Sequence, residues 1–205
     1  MSDPMRTRRR QVDRSKRLTD LVGGRHPRYM TVVATSRLDL RELAPADVDA
    51  LTGMYSDLEV MRFIGMGGVR TREDAARAIA AQQQEYRDRG YGEWATIRRD
   101  TGAMIGMCGV IRWPDIDGVE ELEVAYMLAR DAWGRGYATE AAIAIRDWAF
   151  AVLTRERMVS LIYHDNAASI AVARNAGATW EKDVSVMGQS LALYVYRRLS
   201  NGSPP

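Results

Sequence analysis

The sequence predicts one α/β domain, and three observations carry that prediction. A strand-like run, Glu121 to Leu128, leads through a short turn, Ala129 to Trp133, into Gly134-Arg135-Gly136 at the mouth of an Ala-rich helix. Hairpin signals stand on either side of that unit, one around Asp100-Thr101-Gly102 and one around Gly188-Gln189. Finally, 205 residues with 46% apolar content make one full core and are too few for two domains of usual size.

The elements follow in chain order. Pro45 to Tyr55 carries apolar residues at helical spacing, and Thr71-Arg72-Glu73-Asp74 has the form of a capping box that opens a helix running to about Asp88. Between them, Phe63-Ile64-Gly65-Met66-Gly67-Gly68 reads as a flexible loop. Trp94 to Arg98 and Ala103 to Arg112 form the first hairpin, and Val119 to Leu128 the central strand. Tyr137 to Leu153 has helical periodicity, with Ala138, Ala141 and Ala142 small enough to bring that helix close to a sheet. Met158 to Tyr163 is a second strand, followed by a short helical segment from Asn166 to Gly177. Trp180 to Met187 and Leu191 to Leu199 make the last hairpin.

The Gly-x-Gly before a helix is a backbone anion site. Glycine turns without steric cost, and the first free N–H groups and the positive dipole end of the helix face an anion. Elimination narrows the phosphate-bearing ligand. A nucleoside-triphosphate loop ends in Gly-Lys-Ser or Gly-Lys-Thr, whereas Gly136 is followed by Tyr137 and Ala138. A dinucleotide fingerprint needs a third small residue where Thr139 stands and an acidic residue about 20 positions on. Asp165, which ends the next strand, lies well beyond that distance.

With these motifs in place, the chain resembles the GCN5-related N-acetyltransferase (GNAT) family, in the subgroup similar to the RimJ and RimL ribosomal-protein N-terminal acetyltransferases. The family's acyl-CoA pyrophosphate motif, Gln/Arg-x-x-Gly-x-Gly/Ala, is met by Trp133-Gly134-Arg135-Gly136-Tyr137-Ala138 except in its opening position. The second motif, an Asn-x-x-Ser with a Gly after the following helix, is met by Asn166, Ser169 and Gly177. Ser36 to Leu43 is similar to the family's opening strand and Gly106 to Val110 to its third, so the resemblance covers roughly Thr35 to Leu199.

The resemblance implies a single GNAT-like domain, residues 35–200: a mixed, mostly antiparallel sheet flanked by helices, with the strands ending near Leu128 and Tyr163 splayed to admit acyl-CoA. It implies acetyl-CoA as cosubstrate, held by Tyr126, Met127, Leu128, Trp133, Gly134, Arg135, Gly136, Tyr137, Ala138, Thr139, Asn166 and Ser169. Backbone N–H groups from Ala125 to Leu128 would polarise the acetyl carbonyl and hold the pantetheine arm as an added strand. The helix-loop-helix region around Phe63 to Gly68 would border the acceptor pocket, the alternative being an ordinary surface connection.

Amide formation from a thioester needs a neutral amine, a polarised carbonyl and a proton for the departing thiolate. Glu123 stands where the subgroup carries a Glu and is the candidate base, with Glu121, on the same strand face, in reserve. The alternative for Glu123 is a carboxylate that faces solvent or pairs with an arginine. The family's usual acid, a Tyr after the Asn of the second motif, is Ala173 here. Ser169 is the subgroup's substitute, either as acid or hydrogen-bonding the sulfur, against the simpler role of helix cap. Asn166 would bond the pantetheine or serve its local turn. The subgroup's Asp in the last hairpin is Ala192, while its Tyr is kept as Tyr196, which leaves the acceptor open.

Composition bounds the rest. No apolar stretch reaches the roughly 18 residues of a membrane span, and Cys108 has no partner for an internal disulfide, so the chain reads as a soluble cytoplasmic protein. No His/Cys cluster has metal spacing, and His164 reads as a turn residue. Asp115, Asp117, Glu120, Glu121 and Glu123 make an acidic rim that would attract a cationic acceptor, or simply a solvated surface. Formal charge is only +2, and almost all of the positive charge is arginine.

Residues 1–34 read as a disordered basic extension. They are open to three interpretations: a nucleic-acid or ribosome contact, a targeting segment, or a leader without function before Met30. Residues 201–205 read as a frayed tail. Together these features predict an acetyl-CoA-dependent N-acetyltransferase, monomeric or homodimeric. It would act on a primary amine, either a protein or peptide N-terminus or a small molecule. The competing reading is a non-catalytic acyl-CoA-binding regulatory module.

Overall fold

Thr71 opens the longest helix, α3 (Arg72–Arg89), by the reciprocal cap its sequence predicts. The Asp74 amide donates to the Thr71 hydroxyl, the Thr71 amide donates to Asp74 Oδ2, and Gly90 ends the helix in the left-handed region. The computed structural model describes residues 30–198. The basic head up to Tyr29 and the tail from Leu199 lie outside the described residues.

Eight strands form one sheet in the order β1-β2-β3-β4-β5-β6-β8-β7. They are β1 (Thr31–Ala34), β2 (Leu38–Arg41), β3 (Glu93–Arg98), β4 (Met104–Ile116), β5 (Val119–Leu128), β6 (Arg157–Tyr163), β7 (Thr179–Val186) and β8 (Gln189–Arg197). Every neighbouring pair is antiparallel except β5 with β6. A parallel pair needs a long crossover, and α4 (Tyr137–Val152) supplies it.

Alternation along the strands sorts the core into two faces. Leu38, Leu40, Val110 and Val124 pack under Ala141, Ala142, Ile145 and Ala149 of α4, where the alanines let helix and sheet approach closely. On the other face, Ala95, Met107 and Met127 pack against Leu51, Met54 and Ile79 from α1 (Val48–Tyr55) and α3. The short α2 (Leu58–Met61) and the 63–70 loop connect α1 to α3, and α5 (Ala167–Asn175) follows β6.

Several boundaries differ from the sequence reading, among them the end of β4 at Ile116 and the start of β8 at Gln189. Residues 31–34, assigned to the extension, are β1, an antiparallel edge strand too short to show a pattern. The opening strand shrinks from Ser36–Leu43 to Leu38–Arg41. Thr35 to Arg37 are drawn out of it by the Glu140 carboxylate, which accepts from Thr35 Oγ1, Ser36 Oγ and the Arg37 amide. The helix α2 was missed, since four residues show no helical period.

Beyond one parallel rung, Glu123 opposite Val159, β5 and β6 separate. Side chains finish the ladder where the strands part. The Ser160 hydroxyl donates to the Val124 carbonyl at 2.7 Å, and the Leu161 amide donates to Glu123 Oε1 at 3.0 Å.

Candidate active site

On one side of the split, β5 runs through a 3-10 turn, Arg130–Ala132, into the glycine loop. Gly134 has φ 71° and Gly136 φ 77°, so the loop alternates into the left-handed region where a side chain is strained. Trp133 Nε1 donates to the Leu128 carbonyl at 2.8 Å and folds the loop back onto the end of β5.

The loop is also tied from outside. Arg37 donates from Nη1 to the Arg135 carbonyl at 2.9 Å, pairs with Glu140, and lies 4.7 Å from the Tyr137 ring centroid. Burial alone would raise the Glu140 carboxyl. Hydrogen bonds from Thr35, Arg37 and Ser36 outweigh it and hold the group below the ordinary carboxylate value.

A cavity of about 430 Å³ opens between the parted strands beneath the α4 N-terminus. Of the residues expected to hold the cofactor, Tyr126, Met127, Leu128, Trp133, Gly134, Gly136, Tyr137, Ala138, Thr139, Asn166 and Ser169 line it. Arg135 does not; its side chain is exposed, and the loop is held through its carbonyl instead. Val124 faces the split through its carbonyl, so by alternation the Tyr126 backbone faces it too and is free to pair with an extended ligand.

A second cavity, about 360 Å³, lies on the opposite side of the split and shares Phe63, Ile64, Tyr126, Met127, Asn166 and Ser169 with the first. Glu123 lines it. Its carboxylate is buried, accepts from Trp113 Nε1 at 2.7 Å as well as from the Leu161 amide, and faces neither solvent nor an arginine. Burial pushes the carboxyl up to about 7 although both donors favour the charged form, and the charge of Glu93 adds to the rise.

The reserve candidate is occupied elsewhere. Glu121 pairs with Arg157 at 2.7 Å. The acidic rim as a whole is not a free negative field: Glu120 pairs with Arg112 and Arg155, Asp117 with Lys182, and Asp115 accepts from the Gly118 amide. Counter-charges that lie far away in sequence cancel what the run of carboxylates suggested.

In the second motif the helix cap is Asn166, not Ser169. Asn166 Oδ1 accepts from the Ser169 amide at 3.1 Å, which leaves the Ser169 side chain at the junction of the two cavities. Ala173 is buried in the core and offers no hydroxyl. The hydroxyl of Tyr126 reaches the same junction, 3.5 Å from the Ser169 carbonyl, and burial holds it well above the usual phenol range.

Sequence reasoning missed four further residues. Trp113 grips Glu123; Ser160, bonded to Val124 and to the Tyr196 hydroxyl, closes the split. Arg70 and Glu93 line the second cavity. Glu93 is partly buried, and its carboxyl is pushed up to about 7 by desolvation against the lowering effect of Arg70. None sits in a local motif; sheet register brings Glu93, Trp113 and Ser160 together, and the loop before α3 adds Arg70.

His164 is exposed in the turn after β6, its ring 3.4 Å from Ser190 Oγ. Cys108 is buried, and desolvation raises its thiol far above the ordinary range. Among the described residues no group of His, Cys, Asp and Glu is placed to hold a metal ion, and no helix is long and apolar enough to cross a membrane.

The Acetyltransferase (GNAT) domain family model matches residues 37–179. The uncharacterized protein YkkB of Bacillus subtilis is 30% identical over 165 residues, 80% of this chain and 94% of that protein. A crystal structure of an acetyltransferase from Agrobacterium tumefaciens superposes with a TM-score of 0.70 at 30% identity, covering 85% of this chain and all of that one. The RimL ribosomal L7/L12 alpha-N-protein acetyltransferase, solved in complex with coenzyme A, has a TM-score of 0.65 at 18% identity, covering 82% of this chain and 98% of that one, a likeness of fold.

Proposed function

We propose that this chain, which belongs to the acetyltransferase (GNAT) family, transfers an acetyl group from acetyl-CoA directly to a primary amine, with Glu123 as the base. The observation that carries the reading is the meeting of two cavities at the β5–β6 split, with a buried carboxyl of pKa about 7 on the acceptor side. A base poised near neutrality is matched to its task.

The glycine loop and the α4 N-terminus suit the pyrophosphate, and the free edge of β5 at Tyr126 suits the pantetheine amides. The amine nitrogen attacks the acetyl carbon, the C–S bond breaks, and the amine proton passes to Glu123, directly or through water. We assign Ser169 the hydrogen bond to the departing sulfur. Tyr126, whose hydroxyl keeps its proton, stands beside it as a second hydrogen-bond donor where Ala173 offers none, and the thiolate takes up its proton from water as the product leaves. This arrangement favours chemistry over a binding-only module, and a cytoplasmic protein is where acetyl-CoA and amines would meet.

Free-thiol release from acetyl-CoA, measured across small amines and peptides bearing a free N-terminus, tests the reading. Turnover of one acceptor class, greatly reduced in Glu123→Gln while acetyl-CoA still binds, is the expected result. Binding without turnover of any amine would overturn it.

A further inference from the structure

Three charged side chains line the acceptor cavity: Glu123, Glu93 and Arg70. Among the described residues most other arginines are paired with a carboxylate. Arg70 forms no such pair: among the described residues no carboxylate lies within 4.0 Å of its guanidinium.

Arg70 is nonetheless held in place. Its amide donates to the Tyr55 carbonyl at 2.9 Å, and its guanidinium carbon sits 5.1 Å from the Tyr55 ring centroid. Glu93, whose carboxyl feels the Arg70 charge, takes its own hydrogen bond from Gln82, whose Nε2 donates to Glu93 Oε2 at 3.2 Å. A partly buried guanidinium stacked on a ring and facing a cavity is built to receive a planar anion from outside the protein.

The cavity also has a roof. The 63–70 loop crosses it and is fastened by the Tyr163 hydroxyl, which donates to the Gly65 carbonyl at 2.6 Å, and by Phe63, whose ring lies 5.8 Å from that of Tyr163. The remaining wall is mixed: Ile64, Met107, Ile111 and Leu191 give it an apolar part, beside Ser160, Asn166 and Gln189. A volume of about 360 Å³ under such a roof is that of a small-molecule site.

We propose that the acceptor is a free α-amino acid with an apolar side chain, whose carboxylate is bound by Arg70 while its amine faces Glu123. This rests on the acetyltransferase reading above and specifies its substrate class. Charge balance favours it. On the rim Asp117, Glu120 and Glu121 are already paired, whereas within the cavity Arg70 and Glu123 stand ready for the two ends of a zwitterion, with Glu93 hydrogen-bonded by Gln82. An internal amide, as at a peptide N-terminus, would bring no carboxylate to Arg70.

The test is thiol release from acetyl-CoA with L-leucine, L-methionine and L-phenylalanine, each against its own primary amide and against a tripeptide beginning with the same residue. Wild type, Arg70→Gln and Arg70→Lys are compared, with melting temperatures and acetyl-CoA binding measured on each. The free acids are expected to exceed the amides in kcat/KM by about 10- to 100-fold, the span of a charge-assisted hydrogen-bond pair. The gap should close in Arg70→Gln through loss on the acids alone, and reopen in part in Arg70→Lys.

Equal rates for acids and amides, preference for the tripeptides, or an equal loss on every acceptor in Arg70→Gln would each overturn this assignment while leaving the acetyltransferase reading intact. An absence of turnover with every amine, by protein that binds acetyl-CoA, would sink both.

Discussion

The two sides of the β5–β6 split are built on different principles. The side proposed for the cofactor is a backbone device: two glycines in the left-handed region, a helix N-terminus and a free strand edge, all from residues close together in the chain. The side proposed for the acceptor is a side-chain device, with Tyr55, Arg70, Glu93, Trp113, Glu123 and Tyr163 drawn from α1, the loop before α3, and four strands. A ligand shared by a whole family can be held by main chain, which is insensitive to sequence. A ligand particular to one protein needs side chains, which sequence can vary without disturbing the fold.

That contrast predicts opposite failure modes. The largest effect belongs to Gly136→Trp, which puts a bulky side chain at φ 77° in the cavity mouth. Acetyl-CoA binding by calorimetry should be abolished with any acceptor present or absent. Retained affinity would mean that the loop is not the pyrophosphate site.

Next comes Glu123→Gln, which should leave acetyl-CoA affinity near wild type and cut kcat/KM by about 10²- to 10⁴-fold, the usual worth of a general base. In the proposed mechanism Glu123 serves as base only when deprotonated. Activity should therefore rise as pH increases through about 7, and this limb should vanish in the variant. A limb that survives would assign the titration to another group.

Trp113→Phe sharpens the same point with a smaller effect. It removes a donor that favours the charged carboxylate, so the midpoint of the limb should move upward by about one pH unit, with acetyl-CoA affinity unchanged. A downward shift would contradict the assigned role of that hydrogen bond.

The smallest effect is expected from Glu140→Gln, which weakens the tie between Arg37 and the glycine loop. The pair is largely exposed on its Arg37 side, so a rise of about 3- to 10-fold in the KM for acetyl-CoA is expected, with the KM for the acceptor unmoved. Equal changes in both would place the network in the fold as a whole.

What the sequence disclosed follows the same division. Gly134 and Gly136 before an Ala-rich helix announced an anion site because every part of it lies within one turn of chain, and Thr71 with Asp74 announced a cap for the same reason. Asn166 and Ser169 were found as a motif, but which of them caps α5 depends on which oxygen meets which amide, a matter of geometry. The acidic run from Asp115 to Glu123 misled because Arg112, Arg155, Arg157 and Lys182 reach it only across strands or turns of the folded sheet. Arg70 and Glu93 gave no signal at all. Nothing in a linear reading tells a guanidinium that faces a cavity from the many that face water.

The way the split is closed bears on how this protein behaves among other proteins. An unpaired strand edge invites a neighbouring chain to add to it, and a sheet parted in the middle has two such edges. Here they face inward, roofed by the 63–70 loop, and the last groups before the gap are bonded by Ser160 and by Glu123. The unpaired groups of the opening thereby turn toward the inside of the molecule and away from a neighbouring sheet.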